Sequence, residues 1–134
     1  MKIHLNLATA DLERSVAFYS TLLDAAPAKV FEDYALFVTE RPALELALDL
    51  RESAPLGSGA HYGICVDDAA EVERAISRLD ARGLVASIER EEICCYANQT
   101  KVWAVDPDGR PWEVYTVHAD TAEESVEAAC CSNV

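Results

Sequence analysis

Two pairs of adjacent cysteines are the residues of this chain whose type and spacing point most clearly to chemistry. Cys94 and Cys95 stand side by side, and Cys130 and Cys131 stand together near the C-terminus. Two neighbouring thiolates can hold one soft atom such as trivalent arsenic, cadmium or zinc, because soft ligands select soft metals. A single cysteine is more often a small buried apolar residue. Two pairs in a chain of 134 residues weaken that interpretation.

Two histidines and one carboxylate form a second candidate group. His4 and His61 each stand near the start of a predicted strand, and Glu113 interrupts an otherwise apolar run at 111–117. A carboxylate in such a run is costly unless it is paired or bound to a metal. Two histidines and a carboxylate are the ligands of a non-haem Fe(II) facial triad, which leaves positions open for substrate and O₂. The alternative from spacing alone is a surface His4 and an edge-strand charge at Glu113.

The elements that must position these residues follow the same order twice. The first half predicts a strand at 2–8, a helix at 12–23 with Asp11 as its N-cap, and strands at 28–31, 34–39 and 43–50. The second half predicts a strand at 61–66, a helix that begins after Asp68 and ends at Gly83, and strands at 84–90, 95–105 and 112–117. A tight turn, Asp106–Gly109, separates the last two strands.

This duplication predicts an α+β fold of two βαβββ modules, at about 1–51 and 60–118, within a single domain. The two half-sheets would form an open, incomplete β-barrel around a metal-binding cleft, because a concave sheet face is a natural ligand site. A pseudo-twofold axis would bring His4 and His61 together across that cleft. After His118 the chain becomes small and acidic, and we expect 119–134 to be a disordered tail that carries Cys130 and Cys131.

Composition excludes several classes of partner. The net charge of −13 argues against nucleic acid and against anionic membrane surfaces, both of which attract basic patches. No apolar run approaches the roughly 20 residues that span a bilayer, and no signal peptide precedes the first strand. The five cysteines are an odd number, which disfavours a disulfide framework. We therefore expect a cytoplasmic protein with reduced thiols and no membrane partner.

Several motifs together resemble the vicinal oxygen chelate superfamily, which includes glyoxalase I, extradiol dioxygenases and fosfomycin- and bleomycin-resistance proteins. They are the duplication, the helix start at 11–20, the turn at 106–109 and the Trp112-Glu113 ending. Members of that superfamily place metal ligands on the first strand of each module and on the last strand. Those positions match His4, His61 and Glu113, which the resemblance therefore implies are the catalytic metal ligands.

A narrower resemblance rests on the segment 93–103, the segment 111–115 and the Cys-Cys pair near the C-terminus. These are similar to the organoarsenical C–As lyases, with cadmium-induced proteins as close neighbours. The resemblance implies an Fe(II)-dependent dioxygenase that splits the carbon–arsenic bond of trivalent organoarsenicals, turning methylarsonous acid into arsenite and formaldehyde with O₂ as co-substrate. Cys94 and Cys95 would bind the substrate. Nickel, manganese, zinc or cadmium could occupy the same metal site.

Other functions stay open at this point. One is a metal-binding resistance protein that sequesters cadmium or arsenite without turnover, and another is a glyoxalase-like isomerase or thiol transferase. Methyl or aryl preference and a homodimeric assembly are also left open. Because consecutive side chains of a regular strand point to opposite faces, we predict that Cys94 and Cys95 lie on a loop or bulge.

The remaining candidates carry weaker predictions. Lys101 is a possible accessory residue that steadies an oxyanion, or else an exposed lysine. Cys130 and Cys131 are possible accessory metal or arsenic collectors, or else dispensable. We expect Glu45 to be a solvated charge rather than a fourth ligand, and Cys65 to be a small core residue.

Overall fold

The computed structural model describes residues 1–94 and 97–120. The predictions for Cys95, Cys130 and Cys131 therefore lie outside the described residues. In chain order the described elements are β1 (Ile3–Thr9), α1 (Leu12–Leu23), β2 (Lys29–Val30), β3 (Tyr34–Glu40), β4 (Ala43–Leu50), β5 (Tyr62–Cys65), α2 (Ala69–Asp80), β6 (Ser87–Cys94), β7 (Ala97–Val105) and β8 (Pro111–Asp120).

These elements form two βαβββ modules, so the predicted α+β fold is confirmed. One sheet has the strand order β1-β4-β3-β2 and the other has the order β5-β8-β7-β6. In each sheet the first strand of the module runs parallel to its last strand, and the other pairings are antiparallel. Both sheets are thus mixed and open, and neither closes into a barrel. The predicted metal-binding cleft stays a prediction.

The chain divides into two compact units. Unit 1 contains Met1–Pro55 and Asp106–Gly109, and unit 2 contains Leu56–Val105 and the chain from Arg110 onward. In unit 1 three of the alternating leucines of β4, Leu44, Leu46 and Leu48, are buried, as the period-two pattern predicts, whereas Leu50 at the strand end is exposed. The apolar core there consists of Leu7, Leu12, Phe18, Tyr19, Leu22, Leu23, Ala35, Phe37, Leu44, Leu46, Ala47 and Leu48. The predicted N-cap is confirmed, because the Asp11 side chain accepts a 3.1 Å hydrogen bond from the backbone N–H of Arg14.

The Asp106–Gly109 turn is held in unit 1 by polar contacts. The hydroxyl of Tyr19 donates a buried 2.6 Å hydrogen bond to Asp106 Oδ2. The backbone N–H of Ala10 donates to Asp108 Oδ1 at 3.0 Å, and the Ser53 hydroxyl donates to the same oxygen. Gly109 has φ +86°, a conformation that favours glycine. The turn therefore depends on side chains distant in sequence as well as on its own residues.

Replacing Tyr19 by Phe is expected to lower the free energy of unfolding by about 1–3 kcal/mol, because it removes a buried hydrogen bond to a carboxylate. Equilibrium urea denaturation measures the change. Tyr34→Phe is the matched control, since it keeps the ring that lies 6.5 Å from Phe31 and touches no residue of the turn. A Tyr19→Phe protein as stable as the Tyr34→Phe protein would contradict a stabilising role for this contact.

Unit 2 buries one face of α2 against β7 and β8. Its apolar core consists of Val72, Ala75, Leu79, Val102, Trp103, Ala104, Trp112 and Val114. The helix begins at the predicted N-cap, where Asp68 accepts from the backbone N–H of Glu71 at 2.9 Å. It ends at Asp80, three residues before the predicted end at Gly83, which adopts φ +68°. Within residues 1–94 and 97–120, neither helix is long and apolar enough to cross a membrane.

Two boundaries of unit 2 differ from the prediction. The sequence suggests a break between 90 and 95, yet β6 runs through to Cys94 and β7 begins at Ala97. The pairing of β6 with β7 is irregular between Glu89 and Glu92 and resumes from Glu92 to Cys94. The strand therefore continues past the expected break. At the other end, β8 continues to Asp120, two residues into the predicted tail, because 119 and 120 pair with β7.

Candidate functional site

Three adjacent strands of unit 2 bring two predicted site residues and one accessory residue together. His61 lies just before β5, Glu113 lies in β8 and Lys101 lies in β7. His61 Nε2 is 4.0 Å from Glu113 Oε1, and Lys101 Nζ donates to Glu113 Oε2 at 3.1 Å. The two carboxylate oxygens of Glu113 therefore face different partners. We call these three residues the His61–Glu113–Lys101 cluster.

The ion pair of this cluster is buried. Lys101 is 1% exposed and Glu113 is 7% exposed, so the exposed lysine considered from the sequence is wrong. The Lys101 ammonium also lies 5.5 Å from the ring centroid of Trp103 and 5.7 Å from that of Tyr115, within the range of cation–π attraction. Burial of two charges is tolerated only when each has well-placed partners. The carboxylate and the two rings supply those partners for Lys101.

Two contacts orient the His61 ring: one from its Nδ1 to a backbone carbonyl and one from the ring to the indole of Trp103. Its Nδ1 lies 3.2 Å from the carbonyl oxygen of Gly59, and its ring meets that of Trp103 edge to face, with centroids 5.1 Å apart. When Nδ1–H donates to this carbonyl, Nε2 keeps its lone pair, which is the form that binds a metal. Gly59 has φ +79°, so a glycine there favours the backbone that presents this carbonyl.

Gly63 leaves room for the Glu113 side chain. It pairs with Glu113 across β5 and β8. A Cβ at Gly63 would lie 3.0 Å from Glu113 Cγ, 3.2 Å from Tyr115 Cε1 and 3.3 Å from Glu113 Oε1. The Glu113 carboxylate can therefore occupy this position only because residue 63 is a glycine and has no side chain.

Gly63→Ala is expected to weaken divalent metal binding about 10-fold or more, because the added methyl displaces Glu113 and sub-ångström errors of ligand placement are costly at such sites. Isothermal titration with Co²⁺ or Ni²⁺ measures the change. Gly57→Ala is the matched control, since a Cβ there meets no atom within 4 Å. Equal metal affinities of the two alanine variants would contradict this role of Gly63.

Tyr115 and Cys65 lie beside the cluster. Burial raises the pKa of the Tyr115 phenol, and the neighbouring Cys65 thiol and Glu113 carboxylate raise it further. Tyr115 is therefore a neutral hydroxyl at physiological pH. Cys65 is an exposed free thiol, so the prediction of a core cysteine is wrong. The face of β5 that carries it is the face of Gly63 and Glu113, which α2 does not cover.

Unit 1 contains a comparable histidine–carboxylate pair. His4 and Glu45 are partners in the parallel ladder of β1 and β4, with His4 Nδ1 4.0 Å from Glu45 Oε1. Both side chains are exposed, at 57% and 43%. Glu45 is thus a neighbour of a candidate ligand as well as the solvated charge expected from the sequence. Each unit thus contains one histidine at or just before its module's first strand and one glutamate in its module's last strand.

The donor chemistry of the His61–Glu113 pair fits a divalent cation. An imidazole nitrogen and a carboxylate oxygen each bind such ions at about 2.0–2.2 Å, so neighbouring positions on one ion need the two donors about 3 Å apart. The donors are 4.0 Å apart in this structure, and metal binding would draw them together. Among the residues described, no group of three or more His, Cys, Asp or Glu side chains is placed to hold one ion. His4 belongs to unit 1. The predicted triad of His4, His61 and Glu113 therefore stays a prediction.

The described part of the thiol pair is a strand end. Cys94 is the last residue of β6 and its backbone pairs with Ala97. The predicted loop or bulge for Cys94 and Cys95 stays a prediction, because Cys95 lies outside the described residues. Sequence reasoning considered Trp103 as a pocket wall or as plain packing, and it missed the contribution of Gly59 and Gly63 to the site. The alternation of Lys101 and Trp103 along β7 could have placed both on one face, but no local signal marks the two glycines.

Comparisons with known proteins agree with this architecture. The family model described as the Glyoxalase/Bleomycin resistance protein/Dioxygenase superfamily matches residues 3–114. A trivalent organoarsenical cleaving enzyme from Thermomonospora curvata is 41% identical over 133 residues, which cover 98% of this chain and 88% of that relative. The cadmium-induced protein CadI of Mycobacterium tuberculosis is 42% identical over 120 residues, covering 90% and 78%.

Solved structures share the fold at low sequence identity. The fosfomycin resistance protein FosX from Listeria monocytogenes aligns with a TM-score of 0.67 at 18% identity, covering 85% of this chain and 90% of that chain. A lactoylglutathione lyase from Agrobacterium tumefaciens aligns with a TM-score of 0.65 at 22% identity, covering 87% and 92%. At these identities the likeness establishes the fold alone.

Proposed function

Because the chain belongs to the glyoxalase/bleomycin resistance protein/dioxygenase superfamily, we propose that it cleaves the carbon–arsenic bond of trivalent organoarsenicals in an Fe(II)- and O₂-dependent reaction. The observation that carries the proposal is the His61–Glu113–Lys101 cluster, a metal-competent His–carboxylate pair in the same unit as Cys94. Relatives 34–41% identical to the chain are named trivalent organoarsenical cleaving enzymes, one of them as probable.

In this proposal His61 and Glu113 hold the metal, and His4 is the third ligand. When bound, Fe(II) would supply the binding and activation of O₂, whose four-electron reduction matches the four-electron oxidation of the methyl carbon to formaldehyde. Lys101 holds Glu113 Oε2 and leaves Oε1 facing His61, which favours coordination through one oxygen.

The cysteines bind the substrate. A trivalent organoarsenical carries one carbon substituent and two exchangeable oxygen ligands. The Cys94 and Cys95 thiols replace both oxygens and release two water molecules, which leaves the As–C bond intact for oxidation. For methylarsonous acid the net reaction is CH₃As(OH)₂ + O₂ → As(OH)₃ + HCHO, in which every atom of O₂ is accounted for. Holding arsenic beside the metal lowers the barrier by proximity.

The direct test measures both products. The protein is loaded anaerobically with Fe(II), mixed with methylarsonous acid and exposed to O₂, and arsenite and formaldehyde are quantified. We expect the two products in a 1:1 ratio and no arsenite without O₂. Arsenical binding without arsenite release from the iron-loaded protein would refute the cleavage reaction.

That second outcome would favour the alternative left open by the sequence, a protein that sequesters cadmium or arsenite without turnover. A sequestering protein would bind Cd²⁺ or arsenite through the same thiols with no consumption of O₂. Measuring O₂ uptake during arsenical addition distinguishes the two functions in one experiment.

A further inference from the structure

Cross-strand pairing gives Lys101 an acidic residue on each side of β7. Lys101 stands opposite Glu89 of β6, in an antiparallel ladder that is regular from Ser87 to Glu89. On the other side it stands opposite Tyr115 of β8, two residues from Glu113, whose Oε2 accepts a 3.1 Å hydrogen bond from its ammonium. Directly opposed residues of antiparallel strands have Cβ atoms about 4.5–5.5 Å apart on one face. The lysine therefore lies between acidic residues of both neighbouring strands.

The surroundings of Lys101 contain more negative than positive charge. One ammonium stands against two carboxylates, those of the half-buried Glu89 and the buried Glu113. Lys101 is itself buried, and its ammonium lies 5.5 Å and 5.7 Å from the ring centroids of Trp103 and Tyr115. A buried charge is tolerated only when side chains of the protein compensate it. The position of the ammonium therefore depends on the acids on both sides of it.

A divalent cation at His61 and Glu113 would disturb this balance in two ways. It would bring more positive charge to the carboxylate that the Lys101 ammonium already contacts, and like charges repel. It would also draw Glu113 toward His61, because donors that are 4.0 Å apart have to come within about 3 Å of each other to share one ion. Both effects weaken the bond between Lys101 and Glu113. Glu89 is the acid that the ladder places beside Lys101 to compensate this loss.

We propose that Glu89 is a positioning residue that holds the Lys101 ammonium beside Glu113 while a divalent cation occupies that carboxylate. Glu89 supplies the negative charge that allows an ammonium and a metal ion to share one carboxylate, with the ammonium on Oε2 and the metal on Oε1. It acts through Lys101 and is not itself a metal ligand. This inference rests on the metal site of the proposed function and on no property of the thiols.

Four variants test this role. Glu89→Gln removes the charge and keeps the shape of the side chain, whereas Glu89→Asp keeps the charge. Lys101→Met removes the ammonium, and the double variant with Glu89→Gln and Lys101→Met shows whether Glu89 acts through that ammonium. Asp80→Asn is the matched control, because it removes one negative charge from an exposed residue at the end of α2.

Isothermal titration of each full chain measures the Co²⁺ affinity. We expect Glu89→Gln to weaken it about 10-fold, because the repulsion between ammonium and ion is then no longer offset. Glu89→Asp should stay within about 3-fold of the unmodified chain and Asp80→Asn within about 2-fold, since salt screens an exposed charge. In the Lys101→Met background, Glu89→Gln should change the affinity less than about 3-fold, because residues that act through a shared partner are not additive.

A second readout needs no variant of Lys101. In a crystal structure of the Zn²⁺-loaded unmodified chain, we expect Lys101 Nζ to lie within about 3.2 Å of a Glu89 carboxylate oxygen and of Glu113 Oε2. In Zn²⁺-loaded Glu89→Gln, we expect Nζ to lose its contact with Glu113. These two structures decide the role of Glu89 even if Lys101→Met does not fold.

Three results would overturn the inference. They are an unchanged Co²⁺ affinity in Glu89→Gln, a Zn²⁺-loaded structure in which Glu89 does not contact Lys101, and an equal loss of affinity with and without the Lys101 ammonium. The last result would mean that Glu89 acts on the ion directly through its field.

Failure of the proposed function is distinguishable from failure of this role. If only the cleavage reaction fails, the unmodified chain binds Co²⁺ with the expected dependence on Glu89 and releases no arsenite. An unmodified chain that binds no Co²⁺ would overturn the metal site and the role of Glu89 together.

Discussion

Replacing Cys94 or Cys95 by serine is expected to weaken binding of methylarsonous acid by about 100-fold or more, because one of two linked attachment points is lost. A serine hydroxyl is a hard ligand and does not replace a thiolate on arsenic. The affinity for Co²⁺ should stay unchanged, since the thiols are not metal ligands in the proposed function. Intrinsic fluorescence or calorimetric titration measures each affinity separately.

Glu113→Gln is expected to produce the opposite result. It removes the carboxylate ligand and should reduce the Co²⁺ affinity at least about 10-fold, a loss on the scale seen when metal sites are perturbed. Arsenical binding should persist. Cys65→Ser is the matched control for the thiol variants, because Cys65 is a free exposed thiol beside the same cluster. Equal losses of metal and arsenical affinity in Glu113→Gln and Cys94→Ser would contradict the separation of roles.

Lys101→Met is expected to destabilise the metal-free protein by about 3–5 kcal/mol. The substitution keeps most of the side-chain volume but leaves the 7% exposed Glu113 carboxylate without the ammonium that lies 3.1 Å away. Breaking a buried ion pair by removing one partner carries a cost of this size. Urea denaturation of the metal-free protein measures the loss of unfolding free energy.

A divalent cation should reverse part of this loss, because it replaces the missing positive charge beside Glu113. We therefore expect Co²⁺ to raise the denaturation midpoint of Lys101→Met more than that of the unmodified chain. Lys2→Met is the matched control, since its partner Glu40 is 87% exposed and the change removes only this surface pair and one hydrogen bond to the Thr39 carbonyl. We expect it to cost about 1 kcal/mol. An equal metal effect on all three proteins would show that Glu113 is not at the metal site.

Local patterns in the amino-acid sequence were sufficient for the architecture. The duplicated order of elements, the N-caps Asp11 and Asp68, and the alternating leucines of β4 predicted both modules and the bounds of α1 correctly. These features are local. An N-cap side chain accepts a hydrogen bond from the backbone N–H three residues later, and successive side chains of a strand point to alternate faces. The resemblance to the superfamily implied His4, His61 and Glu113 as metal ligands; the structure places His61 and Glu113 side by side, and the triad stays a prediction.

Long-range packing supplied the rest of the site. Lys101 and Glu113 are 12 residues apart, and whether that lysine is buried or solvated depends on the ladder that places it over Trp103 and Tyr115. The need for glycine at 63 arises from the Glu113 and Tyr115 side chains of β8. Residue types thus define the available chemistry, whereas strand register decides which atoms meet, because burial and cross-strand distance are properties of the assembled sheet.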